Sequence, residues 1–124
     1  MQTTVFCKTK YEGIHRYPGA PFAVEYLSKP HRHIFGVKVE MDVFSDDREV
    51  EFIMLKHRVN TWLRIHFNSN DVWEMGALSC EQVATQLLKF LQTEYPVPYH
   101  ADQKRHIVVT VDEDDENGAV VYGD

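Results

Sequence analysis

The sequence is short of cysteine, of long apolar runs and of net positive charge, and each shortage removes a class of protein. Two cysteines in 124 residues, Cys7 and Cys80, make no disulfide framework and suit a reducing compartment. No segment approaches the roughly 20 apolar residues of a membrane-spanning helix. The opening Met1-Gln2-Thr3-Thr4-Val5-Phe6-Cys7-Lys8 also lacks the positive-then-apolar pattern of a secretory leader. A cytoplasmic protein with no membrane partner is therefore expected. Lys and Arg number 13 against 19 Asp and Glu, and the net charge of −6 repels phosphate backbones, so nucleic acid is not an expected partner. Repeats and low-complexity stretches are absent, and the length suits a single domain over 1–124.

Histidine, by contrast, is well represented and well placed. In Pro30-His31-Arg32-His33-Ile34-Phe35-Gly36-Val37-Lys38-Val39-Glu40-Met41-Asp42-Val43, the odd positions from Phe35 are apolar and the even ones polar or small. That period of two predicts a strand with one wet face. The same parity puts His31 and His33 on the inner face at the strand's start, where neighbouring imidazoles can converge on one metal ion. His15, in Gly13-Ile14-His15-Arg16-Tyr17-Pro18-Gly19, is the candidate third ligand for a zinc site with an open position. The competing reading is a purely structural H-x-H pair.

The remaining chain supplies the frame. Thr3–Tyr11 reads as a strand, followed by a long loop from Glu12 to about Pro30 that carries His15 and Glu25. From Phe52, apolar residues recur at threes and fours through Leu55, Val59, Trp62 and Leu63, predicting a helix whose inner face ends at His66. His66 there is either a functional group or a helix-end histidine resting on the last carbonyls. Asn68-Ser69-Asn70-Asp71 breaks the chain, and Ser79 with Gln82 reads as the capping box of a second helix. The inner face of that helix is Val83, Ala84, Leu87, Leu88, Leu91 and Tyr95, and Pro96 and Pro98 stop it. A hairpin closes the chain, with Asn117-Gly118 as its turn signal. On its first strand Glu113 continues the apolar face of Ile107, Val109 and Val111, while the other acids of Asp112–Glu116 read as a solvated turn. The expected fold is α+β: a four-stranded antiparallel sheet with two helices on one face, in the order ββααββ.

Over nearly its whole length this pattern resembles the 6-pyruvoyl-tetrahydropterin synthase family, including its 6-carboxy-tetrahydropterin synthase branch. The matching segments are Gly13–Pro18 with His31-Arg32-His33, Glu49–Lys56, Leu78–Ala84, and Val109–Asp114 with Ala119–Tyr122. The resemblance implies the tunnelling fold, catalytic zinc on His15, His31 and His33, and Glu113 gripping a pterin ring. Ser79 and Cys80 would help line the pocket, and His66 would carry a proton. It further implies a ring-shaped homo-oligomer, a hexamer of two stacked trimers, acting on a dihydroneopterin triphosphate-like pterin on a tetrahydropterin or deazaguanine (queuosine) route.

Two departures bear on chemistry. Leu27 stands where family enzymes carry a cysteine base, and Ile65 stands where an aspartate would orient His66. Glu25, or else Cys80 at a helix N-terminus that lowers a thiol pKa, is the candidate replacement base. The alternative is a relative that binds zinc and a pterin or purine without turnover.

Overall fold

A computed structural model describes residues 2–67, 72–98 and 104–123. The expected chain break at Asn68–Asp71 lies outside the described residues. The elements are β1 (Thr3–His15), a 3-10 segment (Phe22–Ser28), β2 (His31–Val43), α1 (Phe52–Phe67), β3 (Trp73–Gly76), α2 (Cys80–Glu94), β4 (Ile107–Glu113) and β5 (Asn117–Gly123). They form one five-stranded sheet in the order β3-β1-β2-β4-β5.

This architecture is α+β, but it corrects the expected four-stranded antiparallel ββααββ arrangement of the tunnelling fold. The additional strand β3 pairs parallel with the end of β1, so the sheet is mixed. Its four residues, Trp-Glu-Met-Gly, are too short for an alternation signal to register. A third helical piece, the 3-10 segment, occupies much of what reads as loop. The first strand also runs four residues past Tyr11, to His15, through a glycine that weakens its strand signal.

β1 and β2 pair antiparallel along their full lengths, from Thr3 opposite Val43 to His15 opposite His31. Phe35, Val37, Val39 and Met41 on β2 are buried with Ile107, Val109 and Val111 on β4, where the period-two pattern puts them. α1 and α2 cover this face with Leu55, Val59, Trp62 and Leu63 and with Val83, Ala84, Leu87, Leu88 and Leu91. Phe67, rather than His66, closes the buried stripe of α1, and Phe52 at its start is half exposed.

The hairpin turn lies three residues earlier than Asn117-Gly118, at Asp114-Asp115. Asp114 and Asp115 adopt φ of 58° and 59°, and the Glu116 amide donates to the Glu113 carbonyl at 3.0 Å. Asn117 already pairs with Glu113. Aspartate tolerates the left-handed region better than most residues, and that allows this turn. Gly118 answers a different need, because a Cβ there would run into the Val111 carbonyl and Asp112.

At the far end of the sheet Arg105 clips four segments together. It is 6% exposed and donates to the Asp42 carbonyl at 2.6 Å, the Glu49 carboxylate at 2.5 Å and the Pro96 carbonyl at 3.3 Å. Glu49 also accepts the Phe44 amide at 2.6 Å. Burial by itself raises the Glu49 carboxyl, but the Phe44 amide and Arg105 outweigh it and hold the group below its ordinary value. Glu49 therefore contributes stability above the ordinary carboxylate pKa and loses it as pH falls through the lower folded value. Glu49→Gln is expected to cost about 3 kcal/mol at pH 7, since it leaves Arg105 buried without its counter-charge. The variant should also lose less of its remaining stability between pH 5 and 3 than the parent does. Urea unfolding at pH 7 and pH 3 checks both, and equal stability at pH 7 would contradict the clip.

Candidate metal centre

The β1–β2 register assembles the site. Residues directly opposite in an antiparallel pair share a face, so His15 and His31 stand side by side, and His33 stands opposite Gly13. His15 is thus a strand residue and not a loop residue. Gly13 leaves the space that Met75 and Phe35 fill: a Cβ there would sit 2.8 Å from Met75 Sδ and 2.9 Å from Phe35 Cδ2. The three imidazole centroids are 4.6, 5.4 and 5.0 Å apart, and one ring nitrogen from each lies within 4.8 Å of the others. This group could hold a metal ion.

Contacts on the outer side set which nitrogen faces inward. His15 Nδ1 meets the Leu78 carbonyl at 3.2 Å, His31 Nδ1 the Lys29 carbonyl at 2.8 Å, and His33 Nδ1 the Asp114 carboxylate at 2.7 Å. The Ile34 amide and the His33 ring hold the Asp114 carboxyl below its ordinary range, so it is ionised at neutral pH. All three partners are acceptors without a proton, so each Nδ1 carries a hydrogen, and in the neutral form of each ring the lone pair lies on Nε2. The Nε2 atoms of His15 and His33 are buried and make no hydrogen bond, although the Glu113 carboxylate stands within 3.4 Å of both, out of line for one. Burial pushes the His15 pKa down, outweighing the opposing pull of the Leu78 carbonyl and Glu113, and favours the neutral ring that a metal requires.

Beneath the imidazoles lies an apolar floor. The Phe35 ring meets His15 and His33 edge-on at 5.1 and 5.8 Å, and Tyr11 stacks between Phe35 at 5.5 Å and Trp73 at 4.3 Å. Beside them stands Glu113, whose carboxylate oxygens lie 3.2 Å from His15 Nε2 and 3.4 Å from His33 Nε2. β4 carries it there because Glu113 pairs with Phe35 and shares the inner face.

Cys80 Sγ lies 3.8 Å from Glu113. Burial and the Glu113 charge push its thiol up to about 12, which reverses the expectation that the helix N-terminus lowers it. Cys80 at neutral pH is a thiol and not a base. Ser79 caps α2: its hydroxyl accepts the Gln82 amide at 3.2 Å, and its own amide donates to Gln82 Oε1 at 2.9 Å.

A cavity of about 820 Å³ opens over the site, lined by His15, His31, Leu27, Ser79, Cys80 and Glu113 among others. Neither Glu25 nor His66 is among its lining residues. Glu25 is exposed on the 3-10 segment, where its backbone carbonyl accepts the Ser28 hydroxyl at 2.7 Å. His66 is exposed on α1, stacked 4.1 Å from Trp62 with Nδ1 donating to the Trp62 carbonyl at 2.9 Å. Asp114 is the one residue at the site that sequence reasoning left in a solvated turn. Only the pairing of β4 beside β2 brings it to His33, and its residue type carries no signal of that.

No family model matches the sequence, and no curated protein matches it.

The Cys80 thiol is expected to react with iodoacetamide at pH 8 about tenfold or more slowly than free cysteine, given its raised pKa and burial. Mass-spectrometric labelling at that position checks it. Labelling at or above the free-cysteine rate would contradict the raised pKa and return Cys80 to the role of base.

Proposed function

We propose that this protein is a zinc-dependent lyase for a pterin, of the 6-pyruvoyl- or 6-carboxy-tetrahydropterin synthase type. The observation that supports it most is the convergence of three imidazoles, two of which, His15 and His31, line a cavity that also presents the Glu113 carboxylate. The residues fit the ion: three imidazoles are a donor set zinc accepts, and the buried Nε2 atoms of His15 and His33 make no hydrogen bond while facing the Glu113 carboxylate. Three protein ligands leave a coordination position for substrate, which a closed structural site lacks. Zinc bound there supplies a Lewis acid that polarises oxygens of the substrate side chain.

The chain's own groups would do the rest. Glu113 can accept two parallel N–H bonds from the amino group and adjacent ring N–H of a guanidine-like edge. A ring held by Glu113 then lies beside the imidazoles, because the carboxylate is within 3.4 Å of two of them. The Ser79 hydroxyl already accepts the Gln82 amide and keeps its own proton to donate. Leu27 contributes an apolar wall.

Three observations favour the second reading, a relative that binds zinc and a pterin or purine without turnover. Leu27 lines the cavity where family enzymes place a base, Cys80 is protonated, and Glu25 and His66 do not line it within this chain.

The purified protein is expected to carry about one zinc per chain by inductively coupled plasma mass spectrometry. Single alanine changes at His15, His31 and His33 should each strip it. Glu113→Ala is expected to weaken pterin binding by about 10- to 100-fold in calorimetry, the scale of a lost charge-assisted pair. Turnover of dihydroneopterin triphosphate by the wild type selects the lyase, and binding without turnover selects the second reading. Zinc content that survives all three alanine changes would contradict both.

A further inference from the structure

We propose that Asp114 is a positioning residue of the metal centre, locking His33 as its Nδ1–H tautomer so that Nε2 faces the ion. This role rests on the metal reading of the three imidazoles. Each of those rings is oriented from behind, but by different means. His15 and His31 rest on the backbone carbonyls of Leu78 and Lys29, whereas His33 rests on a side-chain carboxylate at 2.7 Å. A carboxylate behind a ligating imidazole fixes its tautomer and raises its basicity.

Asp114 is itself held firmly. Its amide donates to the Ile34 carbonyl at 2.7 Å, and its Oδ1 accepts the Ile34 amide at 2.9 Å, leaving Oδ2 for His33. Its φ of 58° places it in the tight turn that joins β4 to β5, beside Ile34 of β2. Both oxygens act as acceptors, one towards a backbone N–H that cannot reverse its polarity and one towards a ring that can.

That asymmetry makes Asp114→Asn a sharp probe. Asparagine tolerates the left-handed backbone, so the turn is retained. It offers one acceptor and one NH₂ group. The oxygen must meet the fixed Ile34 N–H, which turns the NH₂ group towards His33 Nδ1. The ring then accepts at Nδ1 and carries its proton on Nε2, the nitrogen needed for the metal.

The test has two readouts on the full chain. Long-range ¹H–¹⁵N spectra of the metal-free protein should show His33 as Nδ1–H in the wild type and as Nε2–H in Asp114→Asn, with His15 and His31 unchanged as an internal check on folding. Zinc affinity, measured by competition with a chelator, should fall by about 10- to 100-fold in the variant. An unchanged His33 tautomer overturns the proposal, and so does a switched tautomer with unaltered zinc affinity. Absence of zinc binding by the wild type, with the tautomers as expected, instead overturns the metal reading and takes this role with it.

Discussion

The register of β1 against β2 is the constraint on which the site depends. Side chains alternate between the two faces of a strand, so a slip of one residue would send a whole strand's set to the opposite face. Here His15 pairs with His31, and Gly13 with His33, so three rings share one face, and the gap over glycine admits Phe35 and Met75 beneath them. The same register buries Phe35, Val37, Val39 and Met41. Core and site are therefore specified together: the hydrophobic burial that fixes the pairing also fixes the distances between the imidazoles. Residues that pair in space as His15 and His31 do are separated in sequence by the 3-10 segment and its flanking turns, and the sheet alone brings them together.

Elements remote from that ladder determine how the rings present themselves. β3 pairs parallel with β1 and places the Leu78 carbonyl behind His15; Lys29, before β2, does the same for His31; and the β4–β5 turn supplies Asp114 to His33. Three unrelated pieces of chain thus turn three Nε2 atoms the same way. Leaving a buried polar atom unpaired costs about 1–3 kcal/mol. The buried Nε2 atoms of His15 and His33 make no hydrogen bond in the right geometry, and the Glu113 carboxylate beside them adds negative charge where a cation would sit. Phe35, backed by Tyr11 and Trp73, packs against the His15 and His33 rings and helps hold them in place.

Much of this was legible in the sequence, because parity is a strong signal where one face is buried. It placed His31, His33 and Glu113 on the inner face, and the Ser79–Gln82 capping box marked the start of α2. What escaped had specific causes. β3 is four residues long, and β1 crosses a glycine whose value lies in the space it leaves for Phe35 and Met75, which local propensity reads as a weakness. His66 and Phe67 are neighbours at a helix end, and only packing decides which turns inward. Asn117-Gly118 is a strong turn signal in isolation, yet here Gly118 serves strand packing and two aspartates make the turn. Asp114 acquires its role from long-range pairing, which no local pattern encodes.

The central claim is that three imidazoles coordinate one ion through their Nε2 atoms at the head of the sheet. Zinc K-edge X-ray absorption on the zinc-loaded protein tests it most directly. The account predicts nitrogen or oxygen scatterers at about 2.0–2.1 Å, three of them with the outer-shell pattern of imidazole. A sulfur scatterer at about 2.3 Å, or a spectrum without imidazole, would contradict it.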